Sequence, residues 1–178
     1  MLKSFPRYFL FGITLMLVLI VGYGFFKDKN VSITTKTLVL NSTPSQVYSI
    51  LSKPEECRKW SSLFKSDKEI EFKFESNKIH WRLKETDSWS ILSISKTTFP
   101  TELRYQISIN GDQHNTMDWK LIPAGKDTEL ECTFKLELPW YFSFFKESFE
   151  VKMNESLEKN ILGFKTYFET RPTSIEAV

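Results

Sequence analysis

Alternating apolar and polar residues dominate the middle of the chain. In the stretch IEFKFE, apolar side chains occupy every second position and charged side chains fill the others. This period of two is typical of an antiparallel sheet with one face in a core and the other in water. Similar alternation returns in residues 79–83, 103–109, 117–121 and 130–138. Together with the β-branched run 31–40 and the run 89–94, the pattern predicts about seven strands.

Two short helical patterns follow the first strand. Ser42 or Thr43 can cap a helix that has Pro44 in its first turn. Pro54 ends that helix and opens a second one that runs through Trp60. The sheet is therefore predicted to be interrupted by two short helices after its first strand.

The C-terminal part of the sequence changes its period. In residues 141–168 apolar positions recur every three or four residues, with charged residues between them, which predicts one long helix. The order is one strand, two short helices, six strands and a long helix. It predicts an α+β helix-grip fold, in which a curved antiparallel sheet of about seven strands wraps on the C-terminal helix.

The N-terminal segment has a different character. Residues 8–26 contain no charge over 19 positions, close to the roughly 20 apolar residues that cross a bilayer. A single-pass transmembrane helix is predicted, with residues 1–28 as anchor, 29–170 as domain and 171–178 as a frayed tail. A cleaved signal peptide is the alternative, but the segment is long and has no Ala-x-Ala site. The charges flanking it lean weakly towards a cytoplasmic N-terminus and an extracytoplasmic domain.

The charge balance argues against nucleic acid as a partner. Two of the 24 Lys and Arg residues precede the apolar segment, so those that remain balance the 22 Asp and Glu residues. A protein that binds nucleic acid normally carries a basic surplus that displaces phosphate counterions. The part of the chain that follows the anchor has no such surplus.

Residues that could support catalysis or metal binding are few. The only histidines are His80, on the polar face of a strand, and His114, near a turn. No spacing of His, Cys or carboxylates suggests a metal site, and no nucleophile or phosphate-binding motif occurs. Asp118 and other strand carboxylates are expected to face solvent. We predict no catalytic residue, metal or cofactor, and the sequence leans away from an enzyme.

The only two cysteines are Cys57 and Cys132. Cys132 falls on the apolar face of a strand, which favours a buried free thiol. A bridge between the two in an oxidising compartment stays open.

Three segments carry a resemblance to a known group of proteins. They are STPSQVYSILSKPEECRKW (42–60), LIPAGKDTELECTFKLEL (121–138) and NILGFKTYFE (160–169). In this order they resemble the SRPBCC superfamily, which includes START-like, polyketide cyclase/dehydrase-like and birch-pollen-allergen-like proteins. The resemblance covers about residues 31–169. The chain departs from it in lacking a Gly near the second strand and in its membrane anchor.

The resemblance implies a cavity between the sheet and the C-terminal helix that holds a lipid or another hydrophobic small molecule. Apolar residues expected to face this space are Trp60, Trp81, Trp89, Tyr105, Trp119, Phe145, Phe149, Met153 and Leu157. Ordinary core packing is the alternative for each of them. Among them Tyr105 is the one polar group that could orient a ligand, or it could bond to a neighbouring carbonyl.

These observations lead to a functional hypothesis and two alternatives. The hypothesis is a membrane-anchored, non-catalytic domain that binds a hydrophobic small molecule or lipid. The first alternative is a cyclase/dehydrase-like enzyme acting on an apolar substrate, which requires an acid or base in the cavity. The second is a module for protein interaction or stress, for which no partner is predicted.

Overall fold

A computed structural model describes residues 5–26, 28–64, 69–109 and 113–171. The helices are α1 (Phe5–Phe26), α2 (Pro44–Leu51), α3 (Cys57–Trp60) and α4 (Lys146–Thr170). Short 3₁₀ turns are formed by Pro54–Glu56, Ser62–Phe64 and Trp140–Phe145. The strands are β1 (Asn30–Val39), β2 (Ile70–Glu75), β3 (Lys78–Leu83), β4 (Ser90–Thr98), β5 (Glu102–Ile109), β6 (Gln113–Ala124) and β7 (Asp127–Glu137).

The seven strands form one antiparallel sheet in the order β1-β7-β6-β5-β4-β3-β2. Strands β2 to β7 therefore form a meander, and β1 joins it by pairing with β7. The period of two sets the register: Trp119 lies opposite Cys132, and Tyr105 lies opposite Met117, all on the inner face. The predicted α+β class, the antiparallel sheet and the long C-terminal helix are confirmed.

The sequence signals for α2 are reproduced in the structure. Thr43 is the N-cap and accepts a hydrogen bond from the backbone N–H of Gln46. Oε1 of Gln46 in turn accepts a hydrogen bond from the backbone N–H of Thr43, which completes a capping box, and Pro44 occupies the first turn. Ser42 instead is buried and donates its hydroxyl hydrogen to the carbonyl of Val39.

Helix α4 begins later than predicted, at Lys146, because Trp140–Phe145 form a 3₁₀ turn. The helix lies along β1 and beside α3. Gly163 permits this approach, since a Cβ there would lie 2.5 Å from the carbonyl oxygen of Trp60. The close contact at this small residue is therefore with α3.

Residues 5–26 form a continuous helix, α1, with exposed apolar side chains such as Phe9, Phe11 and Leu19. Within the described ranges, no helix has the combined length and hydropathy of a membrane span. The predicted transmembrane helix is therefore not confirmed.

Candidate ligand-binding site

The interior between the sheet and α4 has a closed half, beneath the C-terminal half of the helix. Trp60 meets Trp119 edge to face with ring centroids 5.9 Å apart, and it meets Phe164 at 5.2 Å. Tyr105 and Leu157 are buried in the same core cluster. Four of the residues expected to face a ligand, Trp60, Tyr105, Trp119 and Leu157, thus pack into the core.

The hydroxyl of Tyr105 is fully occupied within this closed half. It donates a hydrogen bond to the backbone carbonyl of Leu51 and accepts one from the thiol of Cys57, with Sγ 3.6 Å away. Tyr105 was expected either to orient a ligand or to bond to a neighbouring carbonyl. In the structure its hydroxyl bonds to a carbonyl. Burial raises the pKa of Tyr105 well above its usual value, so the hydroxyl stays protonated.

Both cysteines are buried, and both are free thiols rather than a disulfide. Burial raises the pKa of Cys57 to about 12 and that of Cys132 well above its ordinary value. A thiol that remains protonated is a poor nucleophile. Neither cysteine therefore provides reactive chemistry to the interior.

An open half lies beneath the N-terminal half of α4. Phe149 and Met153 on the helix, and Trp81 on β3, are only partly buried although they pack against the core. Phe64 joins them from a 3₁₀ turn, with its ring 5.4 Å from that of Trp81. These four side chains are therefore less completely buried than those of the closed half.

The apolar residues on the inner faces of β6 and β7 are buried along the described part of both strands. Leu121 is 1% exposed, Met117 5%, Phe134 7% and Leu136 9%. Since Leu121 pairs with Leu130 and Met117 pairs with Phe134, this sequence of residues follows the sheet from one end to the other. Asn115 at 2% and Leu138 at 3% lie nearer still to the start of α4, so the inner face of the sheet is buried at both ends.

Asn115 has an unpaired polar atom on the inner face of the sheet. It lies on β6 opposite Ile107, on the same face as Met117, and is only 2% exposed. Its side-chain Oδ1 has no hydrogen-bond partner. An unpaired buried amide costs about 1–3 kcal/mol. Asn115 therefore offers an acceptor to any ligand that carries a donor into the interior.

Two indole N–H groups, those of Trp60 and Trp119, also have no hydrogen-bond partner. Their situation differs because their rings meet edge to face in the closed half. Aromatic rings accept weak bonds from N–H groups in such arrangements. Asn115 instead lies opposite Ile107 and two residues before Met117 on the inner face.

Two residues expected in the site lie elsewhere. Trp89 is on the outer face of the sheet, where Lys73 and Arg82 lie 4.5 and 4.8 Å from its ring. Its neighbour Ser90 pairs with Trp81 on the inner face, and alternation places Trp89 on the opposite side. Phe145 is 62% exposed because it ends the 3₁₀ turn before α4 starts.

The acidic groups of the strands lie on the outer face, as predicted. Asp118 accepts hydrogen bonds from Arg104 and Lys135, with Nη2–Oδ2 and Nζ–Oδ2 distances of 3.0 and 3.3 Å. Partial burial raises the pKa of Asp118, but these two cations outweigh it and the net pKa is lowered. Glu131 pairs with Lys36 at 2.7 Å.

The buried residues of the described ranges include no carboxylate and no imidazole. His80 is also on the outer strand face, and its Nε2 lies 3.3 Å from an oxygen of Glu75. The side chain of His114 lies outside the described residues. Over the part of the chain that is described, no group of three His, Cys or carboxylate side chains could hold a metal.

Sequence reasoning missed Asn115, Phe64 and Phe164. Asn115 continues the alternation of Met117 and Trp119 by one step, so a longer β6 would have placed it inside. Phe164 was assigned to the apolar face of the helix but not to the site. Phe64 sits in an irregular turn, where no periodicity predicts which way a side chain points.

Comparison with known proteins gives one family. A sequence model described as "Activator of Hsp90 ATPase homolog 1-like protein" matches residues 41–169. A search of curated protein sequences finds no match.

Solved structures with the same fold are numerous and distant in sequence. A protein of unknown function from Staphylococcus aureus has a TM-score of 0.59 at 12% identity, covering 80% of this chain and 96% of the other. The Aha1 dimer from Colwellia psychrerythraea has a TM-score of 0.55 at 14% identity, covering 79% and 97%. An AHSA1-like protein from Aeromonas hydrophila has a TM-score of 0.54 at 13% identity, covering 78% and 92%.

Proposed function

The chain belongs to the Activator of Hsp90 ATPase homolog 1-like family, with an SRPBCC-type helix-grip fold, and we propose that it binds a hydrophobic small molecule or lipid without catalysis. The proposed site is the open half of the interior, between the sheet and the N-terminal half of α4. It is formed by Trp81, Asn115, Phe149 and Met153, with Phe64 at its side.

The observation that supports this proposal is the buried, unpaired Oδ1 of Asn115 together with the partly exposed apolar side chains of the open half. Small-molecule sites are largely apolar and contain a few polar groups that fix orientation. A lone acceptor favours a ligand with an apolar body and a hydroxyl or amide donor at one end. Aromatic rings fill the closed half. The ligand is therefore proposed to bind in the open half.

We further propose that α1 tethers the domain to a membrane. Its support is the charge-free segment 8–26 and the row of exposed apolar side chains on α1. Tethering would raise the effective concentration of the domain near a ligand that comes from the bilayer. The side of the membrane on which the domain lies stays a prediction.

The cyclase/dehydrase alternative has less support. It needs an acid or base that is desolvated in the interior. Among the residues that the structure describes, the carboxylates and His80 are all outside the buried set. The interior therefore favours binding over catalysis.

The binding proposal is tested by filling the site. Met153→Trp adds bulk to the open half, whereas Leu162→Trp adds the same ring at a position on α4 that is 61% exposed. Native mass spectrometry of the full chain released from detergent, with dodecanol added, measures binding. We expect the wild type and Leu162→Trp to bind one dodecanol and Met153→Trp to bind at least about tenfold more weakly. Equal binding by all three, or none by the wild type, would overturn the proposal.

A further inference from the structure

The 3₁₀ turn Trp140–Phe145, here called the aromatic segment, exposes a row of large rings. Tyr141 is 53% exposed, Phe142 47%, Phe144 38% and Phe145 62%. Single exposed apolar residues are common on protein surfaces, but a contiguous patch of them marks a contact with a partner or a membrane. These four rings are not part of the hydrophobic core. Their exposure therefore indicates a contact with a partner or a membrane.

The aromatic segment is fixed to the C-terminal end of α1. The rings of Phe144 and Tyr23 lie 5.9 Å apart, and the hydroxyl oxygen of Ser143, which donates to the carbonyl of Trp140 at 2.6 Å, lies 3.3 Å from the carbonyl oxygen of Gly24. A Cβ at Gly24 would lie 2.9 Å from the ring of Phe144, so the absence of a side chain permits the contact.

An ion pair also joins the start of α4 to the residues that follow α1. Nζ of Lys146, the first residue of α4, lies 2.5 Å from the carboxylate of Asp28. The start of α4, the aromatic segment and the end of α1 therefore form one connected unit. The exposed rings of the aromatic segment therefore lie beside the C-terminal end of α1.

We infer that the aromatic segment inserts into the interfacial layer of a lipid bilayer and holds the open half of the grip against the lipid surface. This inference rests on the proposed tethering by α1. The two apolar surfaces are continuous, because the last turn of α1 contacts the segment directly. Trp and Tyr are the residues that favour the boundary between hydrocarbon and water, and the segment begins with Trp140 and Tyr141.

The same contact brings the proposed site close to the bilayer. Phe149 lies four residues after the aromatic segment on α4, which corresponds to a rise of about 6 Å. An apolar ligand that leaves the bilayer next to Phe142 would have to travel about 12 Å along the 3₁₀ turn and the start of α4 to reach Phe149. Docking would thus let the ligand exchange with the membrane without crossing bulk water.

The test uses cysteine reporters in the full chain, reconstituted into phosphatidylcholine vesicles. Tyr141→Cys and Phe142→Cys report on the aromatic segment, Leu17→Cys reports on α1, and Leu162→Cys is a control on the exposed side of α4. Each carries an environment-sensitive nitrobenzoxadiazole dye. The native cysteines are buried and remain protonated, so they should resist labelling at neutral pH.

Quenching by nitroxide-labelled phosphatidylcholine separates the outcomes. Quenching of the dye at residues 17, 141 and 142, but not at 162, supports the inference. Quenching at 17 alone overturns the docking of the aromatic segment and leaves the tether standing. No quenching at any position overturns both. A blue shift at 141 and 142 without lipid quenching shows that protein covers the patch, which also overturns the inference and favours the interaction module.

Discussion

At the scale of residues, two buried polar side chains on neighbouring strands are in opposite situations. Tyr105 on β5 has both a donor and an acceptor partner within the core. Asn115 on β6 is as deeply buried, yet its Oδ1 has none. A satisfied polar group in a core contributes to stability, whereas an unsatisfied one costs free energy. The first is therefore a structural residue and the second a candidate for binding.

Replacing Asn115 by Leu should separate stability from binding. Leu has a similar size and no unpaired polar atom, so we expect the free energy of unfolding to rise by about 1 kcal/mol. Affinity for dodecanol should fall about fivefold, the equivalent of one hydrogen bond, while affinity for dodecane stays unchanged. Urea unfolding and native mass spectrometry measure the two effects. A parallel loss for dodecane would show that the side chain only shapes the interior.

Replacing Tyr105 by Phe should have the reverse effect. The carbonyl of Leu51 and the thiol of Cys57 lose their partner, so we expect a loss of about 1–2 kcal/mol in the free energy of unfolding. Tyr141→Phe is the matched control, because Tyr141 is 53% exposed and its change should stay within about 0.5 kcal/mol. Urea unfolding compares them. Weaker dodecanol binding by Tyr105→Phe at unchanged stability would contradict a structural role.

At the scale of elements, one amide holds α4 to the turn after α3. Oδ1 of Asn160 accepts hydrogen bonds from the hydroxyl of Ser61 and the backbone N–H of Ser62, both at 2.8 Å. Its Nδ2 donates to the carbonyl of Ser156 at 3.1 Å. All of this lies beside the closed half, with Asn160 only 3% exposed.

Asn160→Ala should therefore destabilise the fold markedly. It leaves the hydroxyl of Ser61 and the N–H of Ser62 without their acceptor, and we expect a loss of about 2–4 kcal/mol. Asn154→Ala on the same helix removes only a surface bond to Glu158 and should cost less than about 0.5 kcal/mol. Thermal and urea unfolding measure both. Similar losses for the two variants would contradict the assigned role of Asn160.

The outer face of the sheet carries a different kind of link, an ion-pair cluster across β5, β6 and β7. Asp118 sits between Arg104 and Lys135, which lower its pKa below the ordinary value of 3.8. The folded state thus favours the ionised carboxylate. The stability gained is present above about pH 4 and is lost as the pH falls through the lowered pKa.

In Asp118→Asn the free energy of unfolding should depend less on pH in the acid range than in the wild type. Because the partners are partly exposed, we expect a loss of less than about 1 kcal/mol at pH 7. As the pH falls through the lowered pKa of Asp118, the difference from the wild type should shrink. Urea unfolding between pH 2 and 7 measures it, with Glu155→Gln on the exposed side of α4 as control. A difference that is constant over the whole range would contradict the link to Asp118.

At the scale of the whole molecule, α1, the aromatic segment and the open half of the grip follow one another in space. Contacts at Gly24 and Ser143 join the first two, and α4 carries the chain on to Phe149. The exposed apolar surface of α1 therefore lies next to the end of the domain that carries Phe149.

A charge in the middle of α1 should release the protein from membranes if α1 is a tether. Leu17→Arg costs about 2.5–3.5 kcal/mol at the centre of a bilayer, so we expect the fraction that floats with phosphatidylcholine vesicles to fall at least about tenfold. The urea stability of the domain should not change. Leu17→Phe keeps the apolar character and should float like the wild type. Equal flotation by Leu17→Arg would contradict the tether.

Much of the fold was predictable because the sheet and α4 have strict periods. The alternation in β6 and β7 places Trp119 and Cys132 on one face, and both are buried as predicted. The capping residues of α2 were also recognisable, because capping depends only on residues close together in the sequence. The late start of α4 was not, because a 3₁₀ turn rich in aromatics has nearly the same apolar spacing as a helix.

The candidate site was only partly predictable. Periodicity identified Trp81, Phe149 and Met153 as inward residues but could not distinguish a packed interior from an accessible one. The failure at Trp89 came from a run whose alternation was too short to fix its phase.

The sequence by itself determined the strands, the long helix and the inner face of each, because hydrophobic periodicity is a local property of the chain. Only the tertiary structure showed that the residues beneath the end of α4 are fully buried, whereas Phe149 and Met153 near its start are partly exposed. It alone also showed that the hydroxyl of Tyr105 is occupied while Oδ1 of Asn115 is unpaired. Such differences depend on contacts between residues far apart in the chain, and no pattern along the sequence records them.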